Sequence, residues 1–354
     1  MTVMTQEKPD VEKFTVNEKN LSKENAIKAI KTVTKESTDK SILETEEKIF
    51  LLGFMPPGEV NGLVVSELGE SFNLDRVKKL WVPKSQKVNE LFVSDMHIID
   101  DKTMGDIVKD IDQKYSDKLK IIENQLKSNP FWQANKHVIK MVKIDSLITL
   151  QNNVNLDRAI KLAEKIKKDA TVEELLDYTF DFNRKSPVIR SHLITNNAIL
   201  FSTNDHDVRP GKIEVRKISK YAENEENGTI PALVIPIVEG ESFIYCVRTY
   251  NMQPMPDGTL KKVYYLALQN GIHRAYALRS LGIEYMPCLI IDPLTAGETN
   301  MLMSNWPPER LQQSASQRPP LMKDFFNPDL TEKFRVPKTT RCIKVEWKIE
   351  NFTT

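Results

Sequence analysis

The stretch Gln269-Asn270-Gly271-Ile272-His273-Arg274-Ala275-Tyr276-Ala277-Leu278 limits what this chain can fold into more than any other. It lies between two apolar runs, 263–268 and 286–291, with Gly282 between its end and the second run. Short apolar runs bounded by turn residues read as strands. The residues between them read as a glycine turn opening a short helix that Gly282 ends. Strand, turn, helix and strand in immediate succession require a sheet with a helix packed on it. The fold class expected is therefore α/β (α+β), a mixed β-sheet core with helical decorations.

The turn also carries chemistry. Gly271 lets the backbone turn tightly and brings N–H groups near a ligand, and the helix start that follows concentrates about half a positive elementary charge. Arg274 adds a planar, permanently charged fork that can hold a phosphate by two hydrogen bonds. His273 can donate or exchange a proton near neutral pH, and Asn270 can hydrogen-bond a ligand. A cation at a helix start is electrostatically misplaced unless something negative sits beside it. Asn270, Gly271, His273 and Arg274 are therefore candidate nucleotide- or phosphate-binding residues. The same residues also fit an architectural reading, in which the turn only connects two strands and Arg274 caps carbonyls or pairs with a core-edge carboxylate.

A glycine, His273-Arg274, an alanine-rich helix, the stop Leu281-Gly282 and the strand start Met286-Pro287 together resemble the ParB/sulfiredoxin-like superfamily, over residues 233–292. The resemblance implies a mixed-sheet core whose box holds nucleotide phosphates, with a nucleotide and Mg2+ as the implied ligand. The chain departs from the family in three places. Ile272 stands where sulfiredoxin-like members carry a reactive cysteine, so sulfinic-acid repair is not expected. Asn270 stands where serine-kinase-like members often carry an aspartate, and an amide cannot act as a carboxylate base. No helix-turn-helix pattern follows Asp292, so chromosome partitioning is not expected. Turnover, as a nucleotide hydrolase or phosphotransferase, would draw on His273 and on a carboxylate such as Asp292 with a divalent ion.

Two other function classes compete. One is a nucleic-acid-associated protein, nuclease-like or DNA-binding, of a mobile element or defence system. With 50 basic against 49 acidic residues the net charge is +1, which provides no global field toward a polyanion and does not favour it. The other is a non-catalytic interaction scaffold with a protein partner at the N-terminal tail. Three cysteines far apart, Cys246, Cys288 and Cys342, read as core residues of a reducing compartment. With no apolar run of the roughly 18 residues a membrane span needs and no secretory signal, no membrane association is expected and the cytoplasm is the expected location. No metal site is expected: the Asn204-Asp205-His206-Asp207 cluster reads as a solvated loop, and His97, His137 and His192 lack partners at ligand spacing.

Along the chain, residues 1–41 read as a disordered polar tail, 42–185 as a mixed α/β region, 186–295 as the β-rich core, and 296–354 as a proline-punctuated extension packing on that core. Short strands are expected around 49–52 and 63–65, and one amphipathic helix over 104–126. A strand at 142–148 leads to a capped helix over 155–163, and Thr171 with Glu174 has the capping-box spacing. Whether 142–165 belongs to the core stays open, since about a hundred residues separate it from the Gly271 turn. The 250–260 loop is expected to overhang that turn, and Arg248 either reaches the same site or is an edge charge.

Overall fold

A computed structural model of the chain describes residues 45–63, 74–94, 100, 102–128, 132–133, 136–149, 151–182, 188–195, 198–203, 209–210, 214–218, 230–234, 237–238, 243–254, 258–292, 319–338 and 341–346. The N-terminal tail, the Asn204 to Asp207 cluster, His97, Trp306 and Trp347 lie outside these residues.

The described chain opens with β1 (Thr45–Phe50), a 3-10 turn (Leu52–Phe54), α1 (Pro57–Leu63) and α2 (Leu74–Ser94). There follow α3 (Met104–Ile107), β2 (Val108–Lys109), α4 (Ser116–Leu126), β3 (His137–Lys143), β4 (Ile148–Thr149), β5 (Asn153–Asn155), α5 (Leu156–Ala163) and α6 (Val172–Thr179). Six short strands come next: β6 (Arg190–Thr195), β7 (Ala198–Thr203), β8 (Arg209–Pro210), β9 (Glu214–Ile218), β10 (Ile230–Val234) and β11 (Ile237–Val238). The chain continues through β12 (Tyr245–Pro254), β13 (Leu260–Asn270), α7 (Ile272–Ser280), β14 (Tyr285–Ile291), β15 (Glu332–Pro337) and β16 (Arg341–Glu346).

The central sheet has the order β2-β3-β14-β12-β13-β4. It is mixed: β12 runs parallel to β14 and β13 parallel to β4, while β12/β13, β14/β3 and β2/β3 are antiparallel. Successive strand residues face opposite sides, and here both sides are covered, which is why the strands read as near-continuous apolar runs. On one side Cys246, Leu266, Leu268, Cys288 and Ile290 pack with Ala159 of α5 and Ala275 and Leu278 of α7. On the other, Val247, Ala267, Leu289 and Ile291 pack with Leu176 of α6, Ile122 and Leu126 of α4, and Trp132. Full burial of a side chain such as Leu266 is worth roughly 1.5–3 kcal/mol, so these two layers supply most of what holds the helices to the sheet.

A second sheet, β15-β1-β5, covers a separate cluster of Phe50, Leu52, Met55, Val60, Leu63, Val77, Phe334 and Val336. Two further two-stranded ribbons pair β10 with β9 and β11 with β8. Everything around the Gly271 turn lies in one compact unit, Glu44–Ile189 with Ser202–Arg341. The sheet β16-β7-β6 is formed largely by the residues of a second, smaller unit.

Several expectations change. The boundary expected at 185/186 runs through a single sheet, because β3 and β4 pair with β14 and β13. Residues 137–163 thus share a core with the turn, β3 through the sheet and α5 by packing on the α7 side. The helix expected over 104–126 is broken into α3 and α4, because Val108 pairs with Val142 at the sheet edge and Asp112 caps a 3-10 turn by accepting from the Lys114 N–H. A tertiary strand partner overrides the local periodicity there. Of the strand expected over 63–65, Leu63 instead ends a helix that starts at Pro57, whose fixed φ suits a first helical position, with Glu59 favouring the positive helix start; 64–65 lie outside the described residues. Within the 296–354 extension, Leu321, Met322 and Phe325 pack in the cores of the central sheet and Leu321 bridges Ile148, while β15 pairs with β1.

Candidate functional site

Gly271 opens α7 in the left-handed region, φ 102° and ψ 17°, where a side chain is strained. A Cβ there would lie 2.6 Å from Ile244 Cγ1. Both conditions call for glycine, and together they seat the start of α7 directly against the start of β12. The Gly271 carbonyl accepts from the Ala275 N–H at 2.9 Å, closing the first helical turn. No side chain caps this end and no acidic residue lies in its first turn, so the positive potential of the helix start is not offset from within α7.

Three side chains of the turn reach three different segments. Asn270 Nδ2 donates to the Phe243 carbonyl at 2.7 Å, tying the end of β13 to the approach of β12. His273 Nε2 accepts from the Asn155 backbone N–H at 3.2 Å, at the start of α5. Arg274 Nη1 donates to the Thr179 carbonyl at 3.1 Å, at the negative end of α6. That same carbonyl accepts from the Ile244 N–H at 3.0 Å. All four residues from Asn270 to Arg274 named as candidates remain partly exposed.

The surroundings of Arg274 are apolar and aromatic. Burial pushes the Tyr178 hydroxyl up to about 12, the nearby Arg274 charge opposing it, and the hydroxyl donates to the Leu162 carbonyl at 3.2 Å. Burial likewise raises the Cys288 thiol well above its usual range, with Cys246 beside it contributing and Arg274 again opposing. The Cys288 thiol is a protonated packing group at neutral pH.

Asp292 stands apart from the turn. Asn270 pairs with Tyr245 of β12, whereas Asp292 follows the Val247–Ile291 pair, so about three residues of β12, on the order of 10 Å, separate the two levels. The carboxylate is clasped by Arg248, Nε to Oδ1 and Nη2 to Oδ2 both at 2.6 Å. A bidentate pair of this kind engages both oxygens of the carboxylate. Arg248 is thus neither a group of the Gly271 turn nor a simple edge charge. β12 and β13 pair as far as Pro254 and Leu260, and the eleven-residue β13 places Leu260 roughly 30 Å from Asn270, so the described residues of the 250–260 connection do not overhang the turn.

The partners missed at the sequence level are Phe243, Asn155 and Thr179. Asn155 was legible as a helix cap, and its side chain does accept from the Arg158 N–H at 2.9 Å, but its backbone bond to His273 spans 118 residues and has no local signal. Among the described residues no group of three or more His, Cys, Asp or Glu is placed to hold a metal ion, and no helix is long and apolar enough to cross a membrane. No family model, curated protein or solved structure compared with this chain matches it.

Proposed function

We propose that the turn from Asn270 to Arg274 is an anion site that takes the phosphate of a nucleotide or phosphorylated small molecule, in a core of ParB/sulfiredoxin-like type. The observation that carries this reading is the start of α7: a left-handed glycine opening a helix with no side-chain cap and no acidic residue in its first turn, flanked by His273 and Arg274. Backbone N–H groups and a guanidinium are the groups that recognise a phosphate. The strand before the turn and the strand after it both lie in the buried central sheet, which fixes the turn against the collapse that a mobile loop would undergo.

The test is the melting temperature of the wild type and of Arg274→Ala with CTP, ATP, GTP and ADP, each with and without magnesium. A ligand at about a hundred times its Kd stabilises the fold by roughly 2.7 kcal/mol. Arg274→Ala lowers the baseline as well, because the Thr179 carbonyl loses a donor. The informative quantity is therefore the ligand-induced shift within each protein. A shift with one nucleotide that disappears in Arg274→Ala supports the site. No shift with any nucleotide in a folded wild type overturns it.

A second reading is favoured by a specific observation: Asn270, His273 and Arg274 each bond a backbone group of a different segment. On that reading the turn is a junction within a non-catalytic scaffold. Arg274→Ala then lowers stability and alters no ligand response.

A further inference from the structure

We infer that Asn155 is a positioning residue for His273, its backbone N–H holding the imidazole in the tautomer with the proton on Nδ1, so that His273 meets a ligand as a donor and not as a base. The statement about the ligand rests on the phosphate reading above; the tautomer does not.

The chemistry follows from one contact. A backbone N–H can only donate, and the Asn155 N–H faces His273 Nε2 at 3.2 Å. That nitrogen therefore presents its lone pair, and in the neutral ring the proton belongs to the other nitrogen. Taking up a proton at Nε2 would set two donors against each other. The amide does not titrate, so the position of a base at Nε2 is occupied for as long as Asn155 stays where it is.

Asn155 is held from three directions. It pairs with Lys48 across the β1/β5 ladder. Its Oδ1 caps α5 through the Arg158 N–H at 2.9 Å. Its Nδ2 donates to Glu46 Oε2 at 2.7 Å. Glu46 is 6% exposed, and Lys48 Nζ stands 3.3 Å from its second oxygen, an ion pair without a hydrogen bond to that oxygen. An ion pair, an amide and a helix cap thus aim one N–H at one ring nitrogen, and the starts of α5 and α7 are fastened together there. With a guanidinium, first-turn amides and an imidazole in its donor form, the turn is chemically matched to holding an oxyanion and mismatched to deprotonating a nucleophile. His273 then contributes to phosphate binding, and phosphoryl transfer with His273 as general base is excluded by the same contact.

The test uses the full chain labelled with 15N-histidine, whose five histidines are resolved by long-range 1H–15N correlation, with His273→Gln to assign the signal. The expected spectrum at neutral pH has the neutral Nδ1–H pattern at His273. A neutral Nε2–H pattern, or an imidazolium, overturns the inference. Asn155 has φ −74°, within the range of proline, so Asn155→Pro deletes the N–H with the backbone angle retained. In that variant the His273 signal should move toward the Nε2–H pattern, whereas Asn155→Ser, which keeps both the N–H and a capping oxygen, should leave it in place. A folded Asn155→Pro with an unchanged signal overturns the role of Asn155; if that variant does not fold, the wild-type tautomer and its retention in Asn155→Ser decide. A wild-type Nδ1–H pattern that no nucleotide perturbs supports the positioning role and counts against the phosphate reading alone.

Discussion

The Cβ that Gly271 lacks would sit 2.6 Å from Cγ1 of Ile244 and 3.0 Å from its Cγ2. This single approach locks the start of α7 to the start of β12, and it separates two costs that usually come together. Gly271→Ala should destabilise the fold by about 3 kcal/mol, part from the left-handed backbone and part from the clash. In an Ile244→Ala background the contacts to Cγ1 and Cγ2 are gone and only the Cβ of residue 244, 3.1 Å away, still crowds the methyl group, so most of the clash part should be removed and the backbone part should remain. Denaturant midpoints of the four proteins of this cycle measure the difference. Strict additivity would mean that Ile244 yields to the methyl group without strain.

The Arg248–Asp292 pair should behave as a structural clasp. Its side chains are 33% and 24% exposed, so solvent screens it, and Arg248→Ala or Asp292→Ala should each lower stability by about 1 kcal/mol. The double variant should lose little more than either single one. If nucleotide turnover were measured and vanished in Asp292→Asn with the fold intact, this carboxylate would be a reacting group instead.

Much of this was open to reading along the chain, and what was not shares one cause. The glycine turn, the Asn155 cap and the capping box of Thr171 and Glu174 each depend on residues within a few positions, and each was expected where it stands. The broken helix at Val108 depends on Val142, and the partners of His273 and Arg274 lie 118 and 95 residues away. No periodicity encodes such pairings, because the residues that decide them meet only when the sheet closes. The same holds for β1, whose apolar residues announce a strand without naming β15 as its neighbour.

Alkaline pH should weaken the fold through its half-buried tyrosine hydroxyls. Tyr178 holds its proton up to about 12 in the folded chain, against an ordinary value of 10.0, and burial also raises Tyr265 and Tyr276. A phenol whose folded value is raised gives stability that is intact below about pH 10 and lost as pH rises toward 12. Urea midpoints between pH 9 and 12 should fall for the wild type and fall less steeply for Tyr178→Phe. Equal slopes would show that Tyr178 ionises as readily in the fold as out of it. At pH 7 the same substitution should cost about 1 kcal/mol through the lost bond to Leu162.

Thiol labelling should distinguish the cysteines. Cys246 and Cys288 are buried, and burial keeps the Cys288 thiol protonated, so neither should react with iodoacetamide while the protein is folded. Cys342 is partly exposed and should react slowly. Mass spectrometry should find at most one adduct natively and three in urea. Rapid modification of Cys288 in the native protein would mean that the sheet opens there.

The ladder between β1 and β15 sets Phe50 opposite Glu332 and Lys48 opposite Phe334. Roughly 280 residues must be synthesised between the first partner and the second, which at about 5–20 residues per second takes tens of seconds. Throughout that interval Phe50 and Leu52 are on the nascent chain while Phe334 and Val336 of their cluster do not yet exist. The newborn polypeptide therefore carries an unmatched sticky segment throughout that interval. Its passage from ribosome to finished fold depends on keeping that segment from foreign partners until the far strand arrives.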